Sequence, residues 1–508
     1  MIRLMLISCI FLNTINSQIT LAQYYYHNPR ALAKSYIHQV RYFGPTVQHI
    51  HLDQRHIEEN PAEKNIQFLS QNDLSEPNLG QFRPSSIYNR LPLQFPQSQL
   101  PSLPPPPPPP IRMCPRSRRG LDLVYGWRDI EFLFPTRYEY ENAIRNRFYV
   151  ERAGNPIDVA VEYKNNGKRR VFVTIPRFQD GVPFSLAYVS DTRNGPKGPA
   201  LVPYPNYYWH STTHRGLNCE GITSAFRVAI DPCNRMWVID SGRIGDIQYC
   251  PPQLLVFDLT TDTLFHRYKF PNNVYKSGQS LFITPIVDTR DPPPVGHCLN
   301  SKVYIADVTA YGLIVYDSMQ DDSWRIEHET MRSSDQFSNI TIAGESFMLQ
   351  DGIFGMSVTP HDGGERFLIY HPLANNIEVM VPLSKLDNKS LWRNPNSNGN
   401  IFQVIGRRNE QASAQAIDSR GNLFFGLVNS IGIGSWNYKS PWNGNSSAVY
   451  INPETLQFAS GLKIVKNQNN QEELWIMTIR FQKIMAGTLN TNEINFRIQK
   501  TLVNNLIC

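Results

Sequence analysis

The chain has 508 residues, of which 41% are hydrophobic and 18% charged, and its formal net charge is +6. That length exceeds one small domain, and the apolar share can build a sizeable core. The charge is mild for the length and no block of five like charges occurs, which argues against nucleic acid as a partner. The 38 Pro, 24 Tyr and 26 Phe favour many short strands and turns over helical bundles.

Arg3 precedes an apolar run from Leu4 to Leu12, and small residues follow at Thr20 and Ala22. This pattern predicts a secretory signal over residues 1–22, cleaved after Ala22. A membrane anchor is the competing reading, but a span needs about 20 apolar residues. No later stretch is long enough either. The expected product is secreted and extracellular, with no membrane partner. Export makes the cysteines candidates for disulfides. Cys9 leaves with the signal, and Cys114, Cys219, Cys233, Cys250, Cys298 and Cys508 remain. Six thiols permit three bridges in any of 15 connectivities. No Cys-x-x-Cys pair is present, which leaves a zinc or redox site without support. Asn339, Asn388 and Asn445 head glycosylation sequons and agree with export.

Residues 23–119 differ from the rest. Gln, Asn, Ser and Pro abound, no period of 2 or 3.6 persists, and Pro104–Pro110 close the segment. The composition predicts a disordered arm ending in a stiff polyproline II rod, a spacer or an interaction tail. His49, His51 and His56 lie within it; solvated histidines are the default reading there, a metal site the sharper one. The cluster Arg116-Ser117-Arg118-Arg119 offers cleavage by a subtilisin-like convertase after Arg119, against the plainer reading of a solvated basic loop. Cleavage would release Cys114 unless a disulfide holds it, and Cys508 is one candidate partner.

The body, residues 120–508, repeats. Short apolar strands begin at Val171, Met236, Val303, Phe367, Leu423 and Leu474, with spacings of 65, 67, 64, 56 and 51 residues. Several follow another strand and a turn rich in Asp, Asn, Pro and Gly, as at Asp231-Pro-Cys-Asn234 and Asp418-Ser-Arg-Gly-Asn422. One repeat supplies three or four antiparallel strands, too few to bury both faces alone. Radial stacking buries them and leaves only short edges. The expected fold is all-β, a six-bladed β-propeller whose innermost strands line a central channel. A double β-sandwich or a large jelly roll would not demand near-constant six-fold spacing.

No catalytic motif stands out. The chain lacks a Gly-x-Ser-x-Gly elbow, a His-Glu-x-x-His pair and a Walker loop. Gly344-Glu-Ser346 and His328-Glu329 fail at the next required position. His214 with Cys219 suggests a thiol nucleophile, but a disulfide is the default for an exported cysteine. His371 follows a strand, where a packed histidine is the default. Asp240 and Asp307 end matching strands, where turn capping outweighs acid–base or metal work. No metal site, cofactor or catalytic residue is therefore assigned.

Several segments carry a resemblance. They include Val171-Phe-Val-Thr-Ile-Pro-Arg-Phe178, Pro203-Tyr-Pro-Asn206, Met236-Trp-Val-Ile-Asp-Ser-Gly242, Cys250-Pro-Pro-Gln-Leu-Leu-Val-Phe-Asp-Leu259, Tyr311-Gly-Leu-Ile-Val-Tyr-Asp317, Asp351-Gly-Ile-Phe-Gly355 and Tyr370-His-Pro-Leu373. From roughly Trp127 to the C-terminus the chain resembles the yellow/major royal jelly protein family of insects. The 97-residue arm is a departure from that family. The resemblance implies a secreted six-bladed propeller acting in pigmentation, cuticle, eggshell or feeding secretions, some members capturing aromatic amines in a channel. It also implies, as an alternative, dopachrome-converting isomerase activity. A purely structural or nutritive secretion is a third reading. The leading expectation is a non-enzymatic propeller that binds aromatic amines or catechols and associates with extracellular matrix. A planar amine needs ring surface and a polar anchor. Gln415 on an inner strand, Asn429 after the next strand, and Phe424 and Phe425 between them are the candidates. The plainer account makes both Phe sheet core and both amides turn caps.

Overall fold

The computed structural model describes residues 120–164, 166–211, 218–393, 400–442 and 447–507. The arm with its histidines, Ala22, Arg119, Cys114, His214, Asn445 and Cys508 lie outside the described residues.

Six four-stranded antiparallel sheets succeed one another along the chain. Their innermost strands are Asp158–Tyr163, Ala225–Ile230, Phe282–Thr289, Ile353–Val358, Ala412–Ile417 and Ala459–Lys466. Each touches the next, and the last touches the first, so the ring closes around an axis. The fold is the six-bladed propeller that the spacing predicts.

The repeated apolar segments prove to be the second strand of every blade: Arg169–Thr174, Arg235–Asp240, Ser301–Asp307, Phe367–Pro372, Asn422–Leu427 and Glu472–Ile479. A second strand has sheet neighbours on both edges and blades against both faces. Hence Ser301–Asp307 is buried at every position, and the sequence there is nearly continuous apolar. The outermost strand Thr263–Lys269 instead alternates with solvent exposure.

The sixth blade is completed by a strand the repeat does not reveal. After Glu472–Ile479 only Phe496–Leu502 remains to the chain. The fourth strand is Asp122–Trp127, antiparallel to it, with Trp127 opposite Phe496. Trp127 is 1% exposed, and its indole N–H donates to the Pro199 carbonyl of blade 1 at 2.7 Å. The start of the body thus fastens the last blade to the first and removes an exposed edge.

All innermost strands run in one direction, so the propeller has an upper face where they begin and a lower face where they end. Asp240 and Asp307, at the upper ends of second strands, are caps. Asp240 accepts from the backbone N–H groups of Thr223 and Ser224 at 2.9 and 2.7 Å. Asp307 accepts from Leu281 N–H at 2.9 Å and from Arg325 at 2.6 Å. Both hold the chain as it enters an innermost strand. His371, at the same place in blade 4, is buried against Glu378 and the Ser413 carbonyl. Two disulfides brace blade 2. Cys219–Cys250 lies on the upper face, and Cys233–Cys298 ties its lower turn to blade 3. No helix among the described residues is long and apolar enough to cross a membrane.

Candidate functional site

Residues of all six innermost strands line the axial cavity, many of them small or aliphatic. The inner strand of blade 2 reads Ala-Phe-Arg-Val-Ala-Ile and places Arg227 near the upper end.

Arg227 reaches across the channel. Its Nη1 donates to Thr284 Oγ1 of blade 3 at 2.9 Å, and its Nη2 donates to the Ser460 carbonyl of blade 6 at 2.9 Å. The guanidinium lies 4.4 Å from the centroid of the Phe354 ring in blade 4. Burial lowers its pKa to about 10, against the pull of Asp158 and Asp351, so it stays cationic near neutrality. One side chain therefore joins four blades.

Above this bar stands Asp351, two residues before the innermost strand of blade 4. Its surroundings raise its pKa to about 7, through burial first, with Arg227 opposing. Its carboxyl makes no hydrogen bond among the described residues and is partly open to solvent. Phe178 meets Phe226 edge-on at 5.4 Å. Phe354 packs with Phe458 at 5.9 Å, and Phe458 with Phe481 at 4.8 Å. Phe178, Phe354 and Phe481 keep part of their rings open. Asp351 and Arg227 thus set a carboxyl and a cation close together, with the Phe354 ring against the guanidinium.

Below the bar lies a cavity of about 290 Å³ lined by all six innermost strands. Asp158 sits beside Arg227 at its head, where Oδ2 takes the Lys463 ammonium at 3.0 Å and Val228 N–H at 3.2 Å. Oδ1 rests against Gly461, where a Cβ would stand only 2.5 Å away, so the close approach of blades 1 and 6 requires glycine. At the foot, Asp288 accepts from Arg366 at 2.5 Å and from Arg290 at 3.1 Å.

The sequence-derived candidates divide on this geometry. Gln415 lines the cavity, is 6% exposed, and donates through Nε2 to the Ile369 carbonyl at 2.9 Å. Phe424 and Phe425 do not line it. They occupy the second strand of blade 5, fully buried in separate core clusters. Asn429 is exposed on an upper turn, its N–H donating to Glu410 at 2.7 Å. His328 stacks on Phe402 at 4.2 Å, and Gly344-Glu-Ser346 forms part of a two-stranded ribbon over Asn339–Met348. Cys219 is in a disulfide. Asn339 and Asn388 are exposed. Among the described residues no group of three or more His, Cys, Asp or Glu is placed to hold a metal.

Sequence reasoning passed over Arg227, Asp351, Asp158, Lys463 and Arg366. A signal existed for Arg227, because a charged residue inside an apolar inner strand must be paired or functional. Asp351 headed a segment singled out only for its resemblance.

Comparison with known proteins matches this architecture to one family. The family model described as Major royal jelly protein matches residues 223–508. Major royal jelly protein 9 of Apis mellifera is 37% identical over 394 residues, covering 75% of this chain and 88% of that protein. Dopaminechrome tautomerase of Drosophila melanogaster is 32% identical over 405 residues, covering 77% and 84%. Protein yellow of Drosophila yakuba is 31% identical over 398 residues, covering 76% and 70%. With a six-bladed ring, its caps and these similarities in agreement, the chain belongs to the yellow/major royal jelly protein family.

Proposed function

We propose that this chain is an exported propeller that binds planar aromatic amines at the upper mouth of its channel, in an extracellular matrix or pigmentation role. The observation that carries the reading is the Asp351 carboxyl, which makes no hydrogen bond among the described residues and feels the charge of Arg227, with the partly open Phe354 ring against that same guanidinium. A carboxylate anchors an ammonium, and ring faces add cation–π and stacking contacts of about 0.5–2 kcal/mol. The two disulfides support export. Calorimetry with dopamine tests it. Saturable binding that weakens at least tenfold in Asp351→Asn is expected, and unchanged binding in that variant overturns the reading.

A second reading is isomerisation of an indoline quinone, the class to which dopaminechrome belongs, and the relative named Dopaminechrome tautomerase lends it weight. The favouring observation is that Asp351 sits near pKa 7 beside a charged Arg227. A base poised near neutrality takes a ring C–H proton, and the guanidinium stabilises charge developing on a quinone oxygen. The proton ends on oxygen, so no oxidant is consumed. Faster loss of dopaminechrome colour than in buffer, abolished by Asp351→Asn, is the expected signature. A decay rate equal to that of buffer rejects it.

A further inference from the structure

The chain enters the sixth blade and leaves it at one place. Asp122, where the strand Asp122–Trp127 begins, stands opposite Lys500 at the lower face. Leu121 just before that strand, and Val503, Leu506 and Ile507 just after Phe496–Leu502, belong to one apolar cluster. Val503 and Leu506 are buried, and the turn Val503–Asn505 packs against Glu472–Ile479. The chain beyond the blade is therefore folded back onto it. Cys114 lies eight residues before Asp122, and Cys508 lies eight residues after Lys500. Eight residues reach at most about 29 Å when extended, and bridged cysteines need their Cα atoms within about 7 Å of each other. The Asp122–Lys500 pair gives both thiols one starting point and ample reach to meet.

The other cysteines are already engaged. Cys219 pairs with Cys250 and Cys233 with Cys298, and Cys9 departs with the signal under the export reading, on which this inference rests. An oxidising compartment favours pairing of the two that remain. We propose that Cys114 and Cys508 form a third disulfide, and that it encloses the cleavage cluster Arg116-Ser117-Arg118-Arg119, so that the processed protein is two chains with the arm retained. The two thiols are oxidised, and their two electrons and two protons reduce a disulfide of a secretory-pathway oxidoreductase to its dithiol. Hydrolysis of the Arg119–Gly120 bond then adds one water, leaving a carboxylate on Arg119 and an ammonium on Gly120. Gly120 is exposed and precedes the first strand of the body, so a protease reaches this bond without opening the blade. The cut falls between Cys114 and Asp122. The strand pairing keeps the body closed, and the disulfide keeps the arm.

Mass spectrometry of the full chain collected from the medium of secreting cells tests this. A non-reduced tryptic digest is expected to contain one species joining Met113–Arg116 to Thr501–Cys508, replaced on reduction by the two separate peptides. Incubation of the folded chain with a subtilisin-like convertase is expected to leave arm and body together on a non-reducing gel and to part them once reductant is added. Cys508→Ser and, separately, Cys114→Ser are expected to release the arm on cutting without reductant, with intact Cys219–Cys250 and Cys233–Cys298 linkages as the control for folding. A free thiol at either position in the parent chain, Cys114 linked elsewhere, an arm shed without reductant, or an Arg119–Gly120 bond that the convertase leaves whole overturns the proposal. A chain retained in the cell overturns the export reading and this inference with it. An exported, linked chain that fails to bind dopamine loses the amine reading alone.

Discussion

The two ends of the channel are built from the same six strands yet offer opposite surfaces. At the upper end the strands start beneath the connections between blades, and Asp351 stands there with a carboxyl that makes no hydrogen bond among the described residues. At the lower end mostly short turns leave the cavity to the strands themselves, and Asp288 is met there by Arg366 and Arg290. Between them one buried arginine donates to Thr284 and Ser460, while Asp158 beside it takes the Lys463 ammonium. Propeller symmetry alone creates neither arrangement. Side chains that differ at repeated positions do.

The largest effects should come from covalent bracing. The lower bridge Cys233–Cys298 closes 65 residues and the upper bridge Cys219–Cys250 closes 31. In the chain-entropy account each contributes about 4 kcal/mol, the lower one more by roughly 0.6 kcal/mol. Denaturant unfolding of the paired Cys→Ser variants should show both losses in that order, and a larger loss at the upper bridge would contradict it.

Next comes the bar itself. Arg227→Met takes the donor from the Ser460 carbonyl and leaves the Thr284 hydroxyl with the Phe354 carbonyl alone, at a cost of about 2 kcal/mol that denaturant unfolding should read. An unfolding midpoint unchanged in this variant would mean that Arg227 does not brace the ring. Asp351→Asn touches the upper half only. Dopamine should weaken about tenfold, or about 1.4 kcal/mol, and unchanged affinity would remove Asp351 as the anchor.

The smallest effects lie in the pH dependence of stability, where two upper-face groups oppose each other. Asp351 rises from 3.8 to about 7 on folding, so the folded chain holds the extra proton in that window. Stability from this group therefore falls as pH climbs from about 4 to 7 and levels off above. His210 is driven down from 6.5 to about 3 by burial and by Arg177. Its Nε2–H donates to the Tyr204 carbonyl at 2.9 Å, and Nδ1 faces Ser185 N–H, a pattern that suits the neutral ring. Here the unfolded chain holds the extra proton, so stability falls as pH drops from about 6.5 towards 3. The slopes offset between pH 4 and 6.5. Relative to the parent, Asp351→Asn should tilt the profile upward with pH in that window and His210→Asn should tilt it downward. Parallel profiles would refute both assignments.

How much of this was legible depends on where a residue sits in a blade. Second strands announced the six-fold repeat because burial on every side forces an unbroken apolar run, as in Val303-Tyr-Ile-Ala306. That same burial removes Phe424 and Phe425 from the channel. Gln415 lines the cavity because it lies on an inner strand, where its amide donates to the Ile369 carbonyl. Asp351 carried no local signal, since its meaning depends on Arg227, 124 positions earlier in the chain.

Periodic apolar strands, cap aspartates and turn chemistry are local, and the sequence by itself determined the blade count and the all-β architecture through them. The ring's fastening, the cysteine pairing and the bridging of blades by Arg227 were decided only in three dimensions. Trp127 meets Phe496, Cys233 meets Cys298, and Arg227 meets Ser460 across long stretches of chain. No short window of sequence encodes such meetings. Ring closure fixes them all at once, because six stacked blades leave each of these side chains one place to go.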